Sequence, residues 1–302
     1  MKKIFLIIIT LLSICFQVSA YDNSREYIIE RRYLVKNTST SKTISFLTFV
    51  PDLTSYMNSR VLKRVTSKPV YKIRKEHNAR VLMFKHTLNP GQREILKITW
   101  RVRLKPYNVF TSGIKYEMGN VDKARYLQSE KYMEADSPLI IRTAKRITRY
   151  AYNELEKIKA VFYFVKRTIN YTEFPNRTYG ALYALKNRIG DCSEYGLLSV
   201  ALLRAIGIPA RIATVLAIRK SSGRKRFDNH VIAEVYSSEY GWLPLEPFFG
   251  HKTIGRLRNY EVIMRRGWRT DNFTSWMSYR ISRRLNRYKK IKMLGHTWRR
   301  IK

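Results

Sequence analysis

The run Gly190-Asp191-Cys192-Ser193-Glu194-Tyr195-Gly196-Leu197-Leu198-Ser199-Val200-Ala201-Leu202-Leu203-Arg204-Ala205-Ile206-Gly207-Ile208-Pro209-Ala210-Arg211 decides the fold. Gly190-Asp191 supplies a turn and a cap. Ser193 to Ile206 is mostly apolar and reads as a buried helix, Gly207 ends it, and Pro209 blocks its continuation. Arg211 to Ile218 then reads as a strand. This punctuation puts Cys192 at a helix N-terminus, where free backbone N–H groups and the positive end of the helix dipole face the sulfur. Both favour the thiolate, and the same N–H groups can donate to an oxyanion formed when the sulfur attacks a carbonyl. A cysteine in mid-helix would gain neither benefit.

Downstream, Arg219 to Asp228 reads as a basic loop, His230 to Tyr236 as a strand and Trp242 to Glu246 as the next, joined by a turn from Ser237 to Gly241. A hairpin centred near Glu239 sets Glu246 opposite Ile232, one diagonal from His230 and on the same face. A carboxylate there can fix the imidazole tautomer and stabilise the imidazolium. A slip of one residue would send Glu246 to the other face. Taken singly, a histidine near a strand end and a glutamate before Pro247 are ordinary residues. A helix-starting cysteine, a strand histidine and an acid on the next strand together form a nucleophile, a base and an orienting group.

Upstream, Asp136-Ser137-Pro138 starts a helix carrying Ile140, Ile141, Ala144, Ile147 and Ala151 at helical spacing. A second helix is expected over Asn153 to Asn170, then a polar loop from Thr172 to Thr178 and a short apolar segment from Ala181 to Leu185. From Arg25 to about Asn108 the pattern is strand-like. Tyr27-Ile28-Ile29, Ile44 to Val50, Arg80 to Phe84 and Arg93 to Leu104 are separated by turn residues such as Asn37-Thr38-Ser39-Thr40 and Asn89-Pro90-Gly91-Gln92. This spacing predicts an antiparallel β-sandwich, read as a packing or binding module.

The cysteine motif, from Gly190 to Tyr195 and on through Leu202-Leu203-Arg204-Ala205-Ile206-Gly207-Ile208-Pro209-Ala210-Arg211, resembles the core motif of bacterial transglutaminase-like domains. His230-Val231-Ile232-Ala233-Glu234-Val235-Tyr236 is similar to the family's histidine strand, and Trp242-Leu243-Pro244-Leu245-Glu246-Pro247 to its third motif. Order and spacing agree from about Ile140 to Gly250. The β-rich region before it is similar to the domain that often precedes this core in exported bacterial members. The resemblance implies an α+β fold: a papain-like, transglutaminase-like cysteine core preceded by an antiparallel β-sandwich domain. It also implies a Cys-His-Asp triad, onto which Cys192 and His230 carry over directly with Glu246 in the third place, and a cysteinyl thioester is the expected intermediate; no metal-ligand cluster is visible in the sequence, so neither metal nor cofactor is expected. Where the family usually has aspartate this chain has Glu246, and where its histidine strand often has an aromatic this chain has Ile232. The family's second oxyanion donor lies upstream of the cysteine, where Tyr171 and Tyr179 are the candidates.

At the N-terminus, Lys2-Lys3, the apolar run Ile4 to Phe16 and Val18-Ser19-Ala20 read as an export signal cut after Ala20. The expected organisation is therefore signal peptide 1–20, β-rich domain 21–115, transglutaminase-like core 123–250 and basic C-terminal extension 251–302, in a periplasmic or secreted protein. Of the 2 cysteines, Cys15 leaves with the signal, so Cys192 is alone and no intramolecular disulfide can form. On count alone it could be a buried small hydrophobe as well as a used thiol. With 45% hydrophobic residues the chain can bury real cores and is not a disordered basic protein.

The net charge of +37 draws the surface to anionic cell-wall polymers or membranes, and no helix-turn-helix, zinc-finger or RNA-binding signature points to nucleic acid as a specific partner. In 251–302, Met277, Ile281, Leu285, Tyr288 and Ile291 can line one face of a basic amphipathic helix. Docking on its own domain is preferred to lying on a membrane. Two function classes follow. One is an enzyme that transfers or hydrolyses acyl groups of protein or peptide substrates, cell-wall peptides included. The other is a non-catalytic exported module that holds anionic cell-wall or membrane components through its basic surface.

Overall fold

The computed structural model describes residues 23–76, 79–119, 123–174, 177–221, 224–248, 253–267, 280–281 and 289–301. The expected export signal, 1–20, lies outside them.

The chain begins with β1 (Arg25–Asn37), β2 (Ile44–Pro51), β3 (Ser59–Thr66), β4 (Lys72–Glu76), β5 (Ala79–Leu88), β6 (Arg93–Leu104) and β7 (Tyr107–Asn108). Alternation drives the pairing of the long strands. In β6, Leu96, Ile98, Trp100, Val102 and Leu104 are all buried while Arg93, Lys97, Arg101 and their neighbours face outward. Two four-stranded sheets result, and Tyr27, Ile29, Tyr33 and Val35 of β1 share one core with Phe46 of β2 and Phe84 of β5. This is the antiparallel sandwich expected from the sequence. The strands β3 and β4 were not expected, because their residues are mostly exposed and show no apolar run.

Four helices follow: α1 (Pro138–Thr148), α2 (Glu154–Thr168), α3 (Ala181–Asn187) and α4 (Cys192–Ala205), with the short parallel pair β8 (Asn170–Tyr171) and β9 (Ile189–Gly190) on either side of α3. Asn153 caps α2 by accepting the Glu156 N–H at 2.9 Å. The central helix α4 is buried almost throughout, including Leu197, Leu198, Val200, Ala201, Leu202 and Leu203, as its apolar sequence demands.

Then come β10 (Ala210–Ser221), β11 (Arg224–Ser237), β12 (Gly241–Glu246), β13 (Thr253–Ile254), β14 (Arg256–Leu257) and β15 (Glu261–Gly267). They form a five-stranded antiparallel sheet in the order β13-β12-β11-β10-β15, while β14 pairs with β7. The basic segment expected as a loop from Arg219 to Asp228 is a continued hairpin instead, with Arg219 opposite Arg226. A ribbon that runs beyond its sheet satisfies its backbone by pairing alone and needs no apolar alternation to announce it.

The C-terminus departs furthest from expectation. The described part of the proposed amphipathic helix is strand: β16 (Arg280–Ile281) pairs with β2, and β17 (Lys289–Arg300) pairs with β1. Met277, Leu285 and Tyr288 lie outside the described residues. Both sheets of the sandwich thus receive an edge strand from the far end of the chain, in the orders β17-β1-β6-β3 and β16-β2-β5-β4. Unpaired main-chain donors and acceptors along β1 and β2 are what bring these strands home, and long-range pairing of this kind leaves no local mark in the sequence.

The two regions are joined by a buried polar knot. Arg211 Nε donates to Glu234 Oε2 at 2.7 Å, Tyr56 Oη donates to Glu234 Oε1 at 3.0 Å, and Arg211 also reaches Tyr56 Oη at 3.1 Å. The Arg211 guanidinium lies on the Trp242 ring, 3.6 Å from its centroid. Each charge has partners, which is the condition for burying it.

Candidate active site

Cys192 is the first residue of α4, as expected, and it is a free thiol. Asp191 is the N-cap: its side chain accepts the Ser193 N–H at 2.7 Å and also bonds the Glu194 N–H, while Glu194 Oε2 accepts the Asp191 N–H at 3.2 Å. This box occupies the N–H groups of Ser193 and Glu194. The expectation that several N–H groups face the sulfur therefore narrows to one. The N–H of Cys192 itself has no acceptor among the described residues.

Glu194 does more than cap. It is fully buried, and Oε1 accepts the N–H groups of Tyr179 at 2.9 Å and Gly180 at 3.3 Å, tying the loop before α3 to the cysteine turn. Burial pushes its carboxyl up to about 7. The Tyr179 N–H works against that shift, and the neighbouring Asp191 adds to it. Gly190 permits the turn, because a Cβ there would stand 2.4 Å from Glu194 Cβ.

His230 lies in β11 and is 4% exposed, and Glu246 ends β12 at 5%. The hairpin has the expected register, with Tyr236 opposite Trp242 and Ala233 opposite Leu245, so that the next pair outward sets Glu246 across from Ile232. Glu246 Oε1 and His230 Nε2 are hydrogen-bonded and ion-paired. A further hydrogen bond joins the ring to the Cys192 side chain. With Nε2 held by Glu246, the nitrogen left for the sulfur is Nδ1. Burial works against a charge on His230. The adjacent Glu246 carboxylate and the hydrogen bonds to Cys192 and Glu246 outweigh it, so the pKa is raised to about 10. The structure thus brings all three expected residues together from three elements.

Aromatic rings close around this centre. Phe248, just past Glu246-Pro247, lies 5.1 Å from the His230 ring, 5.2 Å from Tyr195 and 5.3 Å from Tyr171, measured between centroids. The pairing of β8 with β9 sets Tyr171 opposite Gly190. Its phenol is pushed up to about 12 by burial, by its hydrogen bond to Glu173 and by the charges of Glu173, Cys192 and Asp191. Of the two tyrosines considered upstream, Tyr171 pairs beside the cysteine turn and spends its hydroxyl on Glu173, to which it donates at 2.9 Å. Tyr179 stacks on Tyr183 at 4.4 Å and spends its N–H on Glu194. Phe248 and Glu194 were missed from sequence. The Asp191-x-x-Glu194 spacing is a readable capping box, whereas nothing local to Phe248 announces its contact with His230.

Residues 141–247 match the family model of the transglutaminase-like superfamily core. This segment is a transglutaminase-like domain. Among solved structures, a candidate cysteine protease from Cytophaga hutchinsonii is similar over 92% of this chain and 91% of its own, with a TM-score of 0.62 and 16% identity. That likeness of fold takes in the β-rich N-terminal region as well as the transglutaminase-like domain. The periplasmic domain of TgpA from Pseudomonas aeruginosa is matched over 76% of this chain and 88% of its own, at a TM-score of 0.40 and 17% identity. No curated protein gives a significant match in sequence.

Proposed function

We propose that this chain is a cysteine-dependent enzyme that transfers or hydrolyses the acyl group of peptide or glutamine-type amide bonds. The observation that carries the reading is the arrangement at His230: Glu246 on Nε2, Cys192 on the other side of the ring, and the sulfur at the start of a buried helix. The Cys192 sulfur attacks the amide carbonyl. The carbonyl oxygen takes up negative charge and accepts from the Cys192 N–H. His230, held at Nε2 by Glu246, delivers from Nδ1 the proton it took from the Cys192 thiol to the departing nitrogen as the C–N bond breaks, and a thioester remains. Water then yields the acid and a free thiol, while a primary amine yields a new amide. Glu246 fixes the ring and keeps it charged, the part an aspartate plays in related sites.

In the same reading residues 1–20 direct export to a periplasm or exterior, with 21–115, 123–250 and 251–302 as the mature parts. The substrate is a protein or peptide, cell-wall peptides included, and the strongly basic surface of the mature chain holds the enzyme near anionic polymers or membranes. Among the described residues no helix is long and apolar enough to cross a membrane.

The test is mass spectrometry of a Gln- and Lys-containing peptide mixture supplied with a labelled primary amine, comparing the protein with Cys192→Ala. A product that requires Cys192 is expected, and its mass separates amine incorporation from cleavage or deamidation. Identical spectra from the two proteins, on these peptides and on cell-wall fragments, would replace the enzyme with a basic binding module on the same fold.

A further inference from the structure

A cavity of about 940 Å³ lies between the segment that leaves the sandwich and the segment that follows the hairpin of His230 and Glu246. Asn108, Thr111 and Ser112 line it from the first segment, and Thr253, Arg256 and Arg258 from the second. The walls are fixed to each other. Arg256 pairs with Asn108 through β14 and β7, and the Val109 N–H donates to the Gly255 carbonyl at 2.8 Å. Gly255 allows that approach: it has a φ of +69°, and a Cβ there would stand 2.5 Å from Val109 Cγ1.

Pro106, Tyr107, Leu257 and Tyr260 give the lining an apolar part, and its polar part is cationic and hydrogen-bonding. Arg256 is exposed and forms no ion pair among the described residues. Arg258 is held against the wall by donating to Tyr260 Oη at 2.7 Å. A planar guanidinium without a partner, beside hydroxyl and amide groups, suits a carboxylate. The position says which carboxylate. Thr253 belongs to β13, the edge strand of the sheet that carries His230, and stands opposite Glu246 in that sheet. Extended peptides are what sheet edges receive.

We propose that this cavity binds a carboxylate side chain of an acidic peptide, as an accessory subsite beside the site of Cys192, His230 and Glu246. The proposal draws on the peptide-directed reading above, but its test does not depend on turnover. Full-length Cys192→Ala protein is titrated, by fluorescence anisotropy, into a fluorescein-labelled peptide containing glutamate and into the same peptide with glutamine. The glutamate peptide should bind about tenfold more tightly. Adding Arg256→Gln should remove that preference, and adding Thr111→Trp, which crowds the cavity without changing charge, should weaken binding. Arg60→Gln, on exposed β3, should change nothing; circular dichroism checks that each variant is folded.

An equal loss from Arg60→Gln would mean diffuse attraction to the basic surface and would overturn the subsite. So would equal affinity for the two peptides, or stronger competition by an acidic oligosaccharide than by the unlabelled peptide. A Cys192-dependent reaction with no effect of Arg256→Gln would remove the subsite and leave the enzyme. Arg256-dependent binding without any reaction would do the reverse.

Discussion

Glu246 approaches His230 from a strand end, and its extra methylene relative to aspartate is taken up by that approach. Because both groups are buried, the carboxylate's charge is poorly screened and holds the ring protonated. Glu246→Gln preserves shape and removes charge. The His230 pKa then falls from its raised value, so the basic limb of kcat/KM, where the proton donor is lost, should move to lower pH. The rate should also drop by a factor of about 10² to 10⁴. A pH–rate profile of the two proteins checks this. An unmoved basic limb would dissociate Glu246 from the ionisation of the histidine. The same pair bears on stability: a histidine whose pKa is raised on folding stabilises fully below its unfolded value near 6.5, and that contribution fades as the pH climbs through about 10. These residues were legible in the sequence because helix punctuation and a two-residue period are local rules. Phe248 was not, since its importance lies in what it touches.

Between elements, the distance from sulfur to imidazole is set by how closely α4 lies on β11. Gly196, one turn after Cys192, is where they meet: a Cβ there would stand 3.0 Å from Val231 Cγ1, the neighbour of His230. Gly196→Val should therefore lift the start of α4 from the strand, at a cost of about 1–3 kcal/mol. Activity should fall far more than the melting temperature, because an ångström between reacting groups matters more than a repacked contact. Comparing thermal melts with initial rates checks it, and parallel modest losses in both would argue that the interface tolerates the shift. The helix and hairpin could each be read in advance. Their contact could not, although a glycine inside a helix that ought to disfavour it was the available hint.

Across the molecule, the sandwich and the transglutaminase-like domain are locked by Tyr56, Arg211 and Glu234. Tyr56→Phe leaves a buried Glu234 oxygen short of a donor and should cost about 1–3 kcal/mol in urea unfolding; a change within error would show that Arg211 alone satisfies the carboxylate. Deleting residues 289–302 strips β17 from β1 and exposes an unpaired edge over nearly the whole length of that strand. The truncated protein should melt earlier and elute as aggregates by size-exclusion chromatography, and a monomer of unchanged stability would contradict the role assigned to β17. The basic C-terminus reads as a helix in sequence because Ile281 and Ile291 fit a 3.6-residue stripe, and nothing near them names their partners Thr48 and Val35 at the other end of the chain.

That closure has a consequence for the order in which the molecule can be assembled. A chain made from its N-terminus presents β1 and β2 first and β17 last, so the earliest region to emerge is the last to be finished. The transglutaminase-like domain between them is made while both sandwich sheets still lack an edge, and those edges are supplied only when β16 and β17 follow it. A product that ends before β17 leaves the β1 edge open for a chaperone or protease to find.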